Sequence, residues 1–191
     1  MNTRILLSVL IIVAVVAGVS AVTFAFFSDS GTSTDNVFES GTIILKLSDN
    51  DQFDQDTVAA TFGGTNMVPG DTATGTLNLK NTGTHVANHA EVAVVDTDTT
   101  TPALDKELEL TTLTYGGVDI LSQVTDLNSN TWKDLDDLEA GSGLDNLALT
   151  DLNTDHALVM TVTFRSDAGN DYQGGSVTSL WTITLNQVAS Q

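Results

Sequence analysis

The sequence predicts an all-β, jelly-roll-like β-sandwich with a short helical excursion, preceded by an N-terminal signal segment. Three observations carry this. Six segments between residues 42 and 188 alternate apolar and polar side chains with period two. Turn-forming clusters rich in Gly, Asn and Asp separate them. A single stretch, 131–141, spaces its apolar residues three apart instead.

The N-terminal 25 residues stand apart from the rest. "MNTRILLSVLIIVAVVAGVSA" carries Arg4, a continuous apolar run from Ile5 to Val16 broken only by Ser8, and then small residues. This is the order of a secretory signal. From Ile5 to Phe27 there is no charge, so a retained membrane helix is the competing reading. Cleavage needs small side chains three residues and one residue before the cut. Thr23 and Ala25 supply them for a new start at Phe26. Ala21 offers an alternative cut before Val22.

The strands follow in order. "TIILKL" (42–47) is apolar and β-branched. "TATGTLNLKN" (72–81) places Leu77 and Leu79 on one face, and "HAEVAVV" (89–95) does so with Val92 and Val94. "ELELTTLTY" (107–115) begins with Leu108 and Leu110 in phase, then shifts to Leu113 and Tyr115. "ALVMTVTF" (157–164) aligns Leu158, Met160, Val162 and Phe164. "SVTSLWTITLNQV" (176–188) aligns Trp181, Ile183 and Leu185. Such alternation describes half-buried strands packed face to face. The stretch "DTDTTT" (96–101) reads as an exposed loop. In "TWKDLDDLEAG" (131–141), Trp132, Leu135 and Leu138 share one side of a short helix, with Gly141 as its stop. The domain boundaries are then a signal peptide at 1–25, a linker segment at 26–40 and the sandwich at 41–191.

The chain has 191 residues and no cysteine. A domain of about 165 residues buries roughly 70% of its unfolded surface, so it needs neither disulfides nor a structural metal. Six Lys and Arg face 25 Asp and Glu, for a net charge of −19. Without a basic face, nucleic acid is excluded as a partner. A surface this acidic suits high salt, as in halophiles, where counterions screen the self-repulsion.

Candidate chemistry is sparse. His85 and His89 are four apart, but Val86 stands where a zinc protease of the HExxH type has its glutamate. In a strand, residues four apart are about 13 Å from each other, so a structural role is expected. "DNDQFDQD" (49–56) and "DLNTDH" (151–156) resemble fragments of a calcium loop. The first fails at Phe53, and the second has His156 for Gly and Val162 for Glu. No nucleophile motif, phosphate loop or N-glycosylation sequon is present. The expectation is therefore no catalytic residues, no metal, no cofactor and no small-molecule substrate.

Three segments together resemble the TasA/camelysin family: "TFAFFSDSGTSTDNVFESGTIILKL" at the start, "MVPGDTATGTLNLKNTGTHVA" (67–87), and "DYQGGSVTSLWTITLNQVASQ" (171–191). The positions that carry the first are Phe27, Ser28, Asp29, Phe38, Gly41 and Thr42. The segment 96–156 does not align. The resemblance implies a secreted subunit of extracellular fibres, as in biofilm matrices and the related archaeal bundling pili. It implies a cut after Ala25 by signal peptidase. It further implies donor-strand exchange, in which Phe26, Phe27, Ser28 and Asp29 of one copy complete a neighbour's sheet, so that the protein's main partner is itself. Burying Phe26 or Phe27 fully would contribute roughly 1.5–3 kcal/mol each. The alternatives are a camelysin-like metalloendopeptidase and a membrane-tethered surface module that keeps its leader.

Overall fold

The computed structural model describes residues 2–22, 39–59, 62–139 and 144–189. Thr23, Ala25, Phe26, Phe27, Ser28, Asp29, Phe38 and Gly141 lie outside the described residues. The chain divides into two units, 1–39 and 40–191.

The first unit contains the helix α1, Thr3–Val22. Its Ile and Val residues are β-branched and only moderate helix formers. Residues Ile5 to Val16 are apolar on every side, as in a helix suited to an apolar medium. Ser8 Oγ donates to the Ile5 carbonyl (2.9 Å), so the one polar side chain of this run is satisfied within the helix. The described side chains end at Gly18, and within them no helix is long and apolar enough to cross a membrane.

The second unit is a β-sandwich. Its strands are β1 (Leu45–Ser48), β2 (Thr72–Asn81), β3 (His89–Asp98), β4 (Leu108–Tyr115), β5 (Val118–Asp119), β6 (Leu147–Ala148), β7 (His156–Phe164) and β8 (Val177–Asn186). One sheet has the order β1-β2-β7-β4-β5 and the other β6-β3-β8, with every pairing antiparallel. Leu77, Leu79, Leu110, Leu113, Leu158, Met160 and Val162 from the first sheet meet Ala90, Val92, Val94 and Leu147 from the second in one core.

The alternating segments become strands, with informative differences. The phase change in "ELELTTLTY" is a β-bulge: the register with β7 jumps between Leu110 and Thr112, so both halves turn their leucines inward. The first strand is shorter than its apolar run, beginning at Leu45 rather than Thr42. There the fully buried Asn81 accepts from Ile44 N (3.2 Å) and Gly83 N (3.0 Å) and donates to the His85 carbonyl (2.9 Å). This side chain takes over bonds that a ladder would make. A Cβ on Gly83 would lie 2.1 Å from the Thr42 carbonyl oxygen, so only glycine allows that approach.

Two other expectations change. "DTDTTT" is not all loop, because β3 continues to Asp98. The Asp98 carboxylate then accepts from the backbone of Thr100, Leu104 and Asp105, turning the chain. The helix predicted over 131–141 is only α2, Leu135–Glu139. Leu135 and Leu138 are buried as the spacing required. Trp132 is not on the helix. Its ring stacks on the Arg165 guanidinium 3.5 Å from the centroid, and its Nε1 donates to the Lys106 carbonyl (3.0 Å). Asx-type bonds hold residues 126–134 in a loop instead.

Candidate functional site

An open groove runs along β8. This strand pairs only with β3, and no other strand pairs with its far edge among the described residues. Its inward side chains Val177, Trp181, Ile183 and Leu185 are only half-buried. Opposite them stands β1, the edge strand of the other sheet. The gap has a volume of about 570 Å³ and is lined by Leu45, Leu47, Val58, Phe62, Leu77, Trp181 and Ile183. A second cavity of about 650 Å³ adjoins it, sharing Phe62, Val177 and Ser179 and reaching Met160, Val162, Phe164 and Tyr172. Phe62, on the connection from β1 to β2, rests on Trp181 with centroids 4.6 Å apart. Trp181 Nε1 is buried and has no hydrogen-bond acceptor among the described residues. The walls are apolar, the strand edge offers backbone donors and acceptors, and one indole donor awaits a partner. Chemically, this is a place for an extended apolar segment.

The acidic residues divide into two kinds. Most of those in the predicted calcium fragments are already paired. Asp54 and Asp155 hold Lys80 (2.8 and 3.1 Å), Asp56 holds Lys46 (2.7 Å), and Asp151 holds His156 Nε2 (2.7 Å). Asp49 accepts from the backbone of Asp51 and Gln52. The bond from His156 keeps the Asp151 carboxyl below its ordinary range. Around α2 the acids crowd with little cationic charge nearby, although Asp137 accepts from the backbone of Leu127 and Asp134, and Asp134 from that of Asp137. Carboxylate oxygens of Asp134, Asp136 and Asp137 lie within 4.8 Å of one another, as do those of Asp105, Asp136 and Glu139. The nearest cation is Lys106, its Nζ 3.6 Å from Asp136 Oδ2. Burial pushes the Asp105 carboxyl up to about 6, with the charges of Asp98 and Asp136 adding to the effect. Burial also raises Asp134, against hydrogen bonds from Asn128 and Asn130.

The sequence reading missed this second cluster. The signal was legible in "DLNSNTWKDLDD" (126–137), whose oxygen-bearing residues recur at positions 1, 3, 5, 9 and 12. The three-residue spacing of Trp132, Leu135 and Leu138 was read as a helix and hid it. Asp105, far away in sequence, carried no signal.

The basic residues of the second unit are all engaged. Lys46, Lys80 and Lys106 bond to aspartates, and Lys133 Nζ donates to the Leu121 carbonyl (2.6 Å). Arg165 meets Asp167 (2.7 Å), Glu107 (3.4 Å) and Glu109 (3.6 Å) besides Trp132.

The two antiparallel sheets, with an open edge strand above an apolar groove, define the class as an all-β sandwich domain. Compared with known families, residues 2–191 match the family described as camelysin metallo-endopeptidase, and the chain belongs to that family, whose proteins are typically secreted or surface-associated. No curated protein sequence matches the chain.

The family description implies a catalytic metal, for which the histidines are the natural ligands. A catalytic zinc needs three protein donors and an open position. His89 is 3% exposed and its ring nitrogens face Asn88 Oδ1 (3.1 Å), Glu91 Oε1 (3.0 Å) and Asn186 Nδ2 (3.2 Å). His156 is committed to Asp151 and stacks on Tyr115. His85 is exposed and packs over Gly41. Among the described residues no histidine joins a group of three close donors. These residues do not fit a catalytic zinc site.

Proposed function

We propose that the chain is a secreted structural subunit, without catalytic activity, that assembles head to tail into extracellular filaments by donor-strand exchange. The observation that carries this is the open edge of β8 above an apolar groove. An extended segment laid there would gain main-chain hydrogen bonds from β8, apolar contacts from Ile183 and Leu45, and an acceptor for Trp181 Nε1. The donor is the segment from Phe26, freed by signal peptidase after Ala25, with Phe26 and Phe27 as its anchors. A contact of one copy's terminus with another copy's groove does not close on itself, so it propagates.

Deleting residues 26–36 from the mature chain tests this. The shortened subunit should stay soluble and folded and form no filaments by electron microscopy. The deleted segment, added as a peptide, should raise its melting temperature by binding the folded state. Phe27→Asp should mimic the deletion, because an unpaired charge is costly in an apolar groove. Normal filaments from the shortened chain would overturn the reading. N-terminal sequencing should find Phe26 first, whereas a mass retaining Met1 to Ala25 would favour a tethered module.

The acidic composition separately supports a high-salt setting, independent of the filament reading. Losing Arg4 takes the net charge from −19 to −20. Self-repulsion grows as the Debye length rises from about 3 Å at 1 M to about 30 Å at 0.01 M. Melting temperature should fall over that range, and a flat profile would remove the halophile assignment.

A further inference from the structure

We propose that the carboxylate shell around Asp136 binds calcium, with the 126–137 loop on one side and Asp105 and Glu139 on the other. Two independent observations meet here. The first is spacing: with Asp126 as position 1, Asn128 and Asn130 fall at 3 and 5, the Trp132 carbonyl at 7, Asp134 at 9 and Asp137 at 12. These are the ligand positions of a twelve-residue calcium loop, with Asp replacing the terminal Glu and Thr131, at φ 83°, standing at position 6 where such loops have Gly. The second is Asp105. It is 6% exposed, and its Oδ1 is buried with no hydrogen-bond partner. Its carboxylate converges with those of Asp136 and Glu139. The Lys106 backbone donates to this carboxylate, but one of its oxygens is left buried without a partner, which is costly and which a cation would compensate.

The chemistry selects the ion. The donors are carboxylates, amide groups and a backbone carbonyl, with neither His nor Cys, which suits a hard cation and not zinc. Asn128 Nδ2 and Asn130 Nδ2 both donate to Asp134 Oδ2 (3.1 and 2.6 Å). Asn128 Oδ1 and Asn130 Oδ1 accept from the backbone of Asn130 and Trp132 (both 3.1 Å), and each oxygen keeps a second lone pair for a cation. The many oxygens on a flexible loop match calcium, which takes six to eight ligands, better than magnesium with its small octahedral shell. The loop is tied to the sandwich: Leu110 N donates to the Lys133 carbonyl (2.7 Å), and Glu109 bridges to Asp134. Calcium therefore fastens a long connection onto β4.

Trp132 supplies its own probe. A terbium ion bound at this loop is close enough to be excited through the indole, and calcium competes for the same oxygens. In the chelator-treated mature protein in potassium chloride, terbium should show emission excited through tryptophan. Calcium should displace it at concentrations at least about tenfold below magnesium. Calcium should also raise the melting temperature. Asp136→Asn and Asp105→Asn should each weaken terbium binding by about tenfold or more. Asp105→Asn should in addition melt higher than the parent in chelator, because it removes the uncompensated charge; a merely structural Asp105 would melt lower. Trp132→Phe should remove the emission and keep the calcium-dependent melting shift, separating loop binding from excitation through Trp181. Emission that magnesium displaces as well as calcium does would mark diffuse counterions and overturn the proposal. So would binding unchanged in both aspartate variants that retain the parent's circular dichroism.

Discussion

Strands β7 and β8 look alike in sequence and differ in fate. Both alternate apolar and polar residues over nine or ten positions. In β7 the inner row of Leu158, Met160, Val162 and Phe164 is buried, because the strand lies between β2 and β4. In β8 the inner row is half-exposed, because one side of the strand has no strand partner among the described residues and the facing strand β1 is only four residues long. Alternation reports which side of the pleat is apolar. It does not report whether anything covers that side.

Substitutions can break or sharpen this contrast. The largest expected loss is Leu158→Ala in β7, about 3 kcal/mol within the 2–5 range of fully buried leucines, read by chemical denaturation of the unassembled subunit. A loss under about 1 kcal/mol would mean that β7 is no better covered than β8. Trp181→Ala in β8 should cost the subunit less, roughly 1–2 kcal/mol, since its inner contacts are shared with solvent and Phe62. Its effect on filament formation should be far greater than that of any stability-matched β7 variant. Ile183→Ala should follow the same pattern at about 1 kcal/mol. The smallest effect belongs to Leu180→Lys, one residue from Trp181 but on the outer face and 65% exposed. It should stay within about 0.5 kcal/mol by thermal melting. A large loss there would show that the outer face of β8 is the covered one.

Much of the fold was legible because its signals are local. The period of two located β2 to the residue, and the phase slip between Leu110 and Leu113 marked a bulge. What escaped depends on distant partners. That Asn81 would replace part of the β1 ladder, or that β8 would end as an edge, follows from topology. The acids show the same limit. The fragments at 49–56 and 151–156 drew attention by composition, yet Lys46, Lys80 and His156 occupy them. The loop at 126–137 was readable by spacing, but Asp105 joins it only through folding.

The scarcity of cations has a consequence for durability outside the cell. A protease that cuts after Lys or Arg finds five such residues in the sandwich, at 46, 80, 106, 133 and 165. Lys46 and Lys80 lie within paired strands, and each of the five side chains is held by a carboxylate or a carbonyl. To be cut, Lys46 and Lys80 must leave both ladder and ion pair, and the other three must release a carboxylate or a carbonyl, so digestion by enzymes of the trypsin type reports local opening of the fold rather than exposure of its surface. The sandwich therefore withstands basic-specific proteolysis as long as it stays closed.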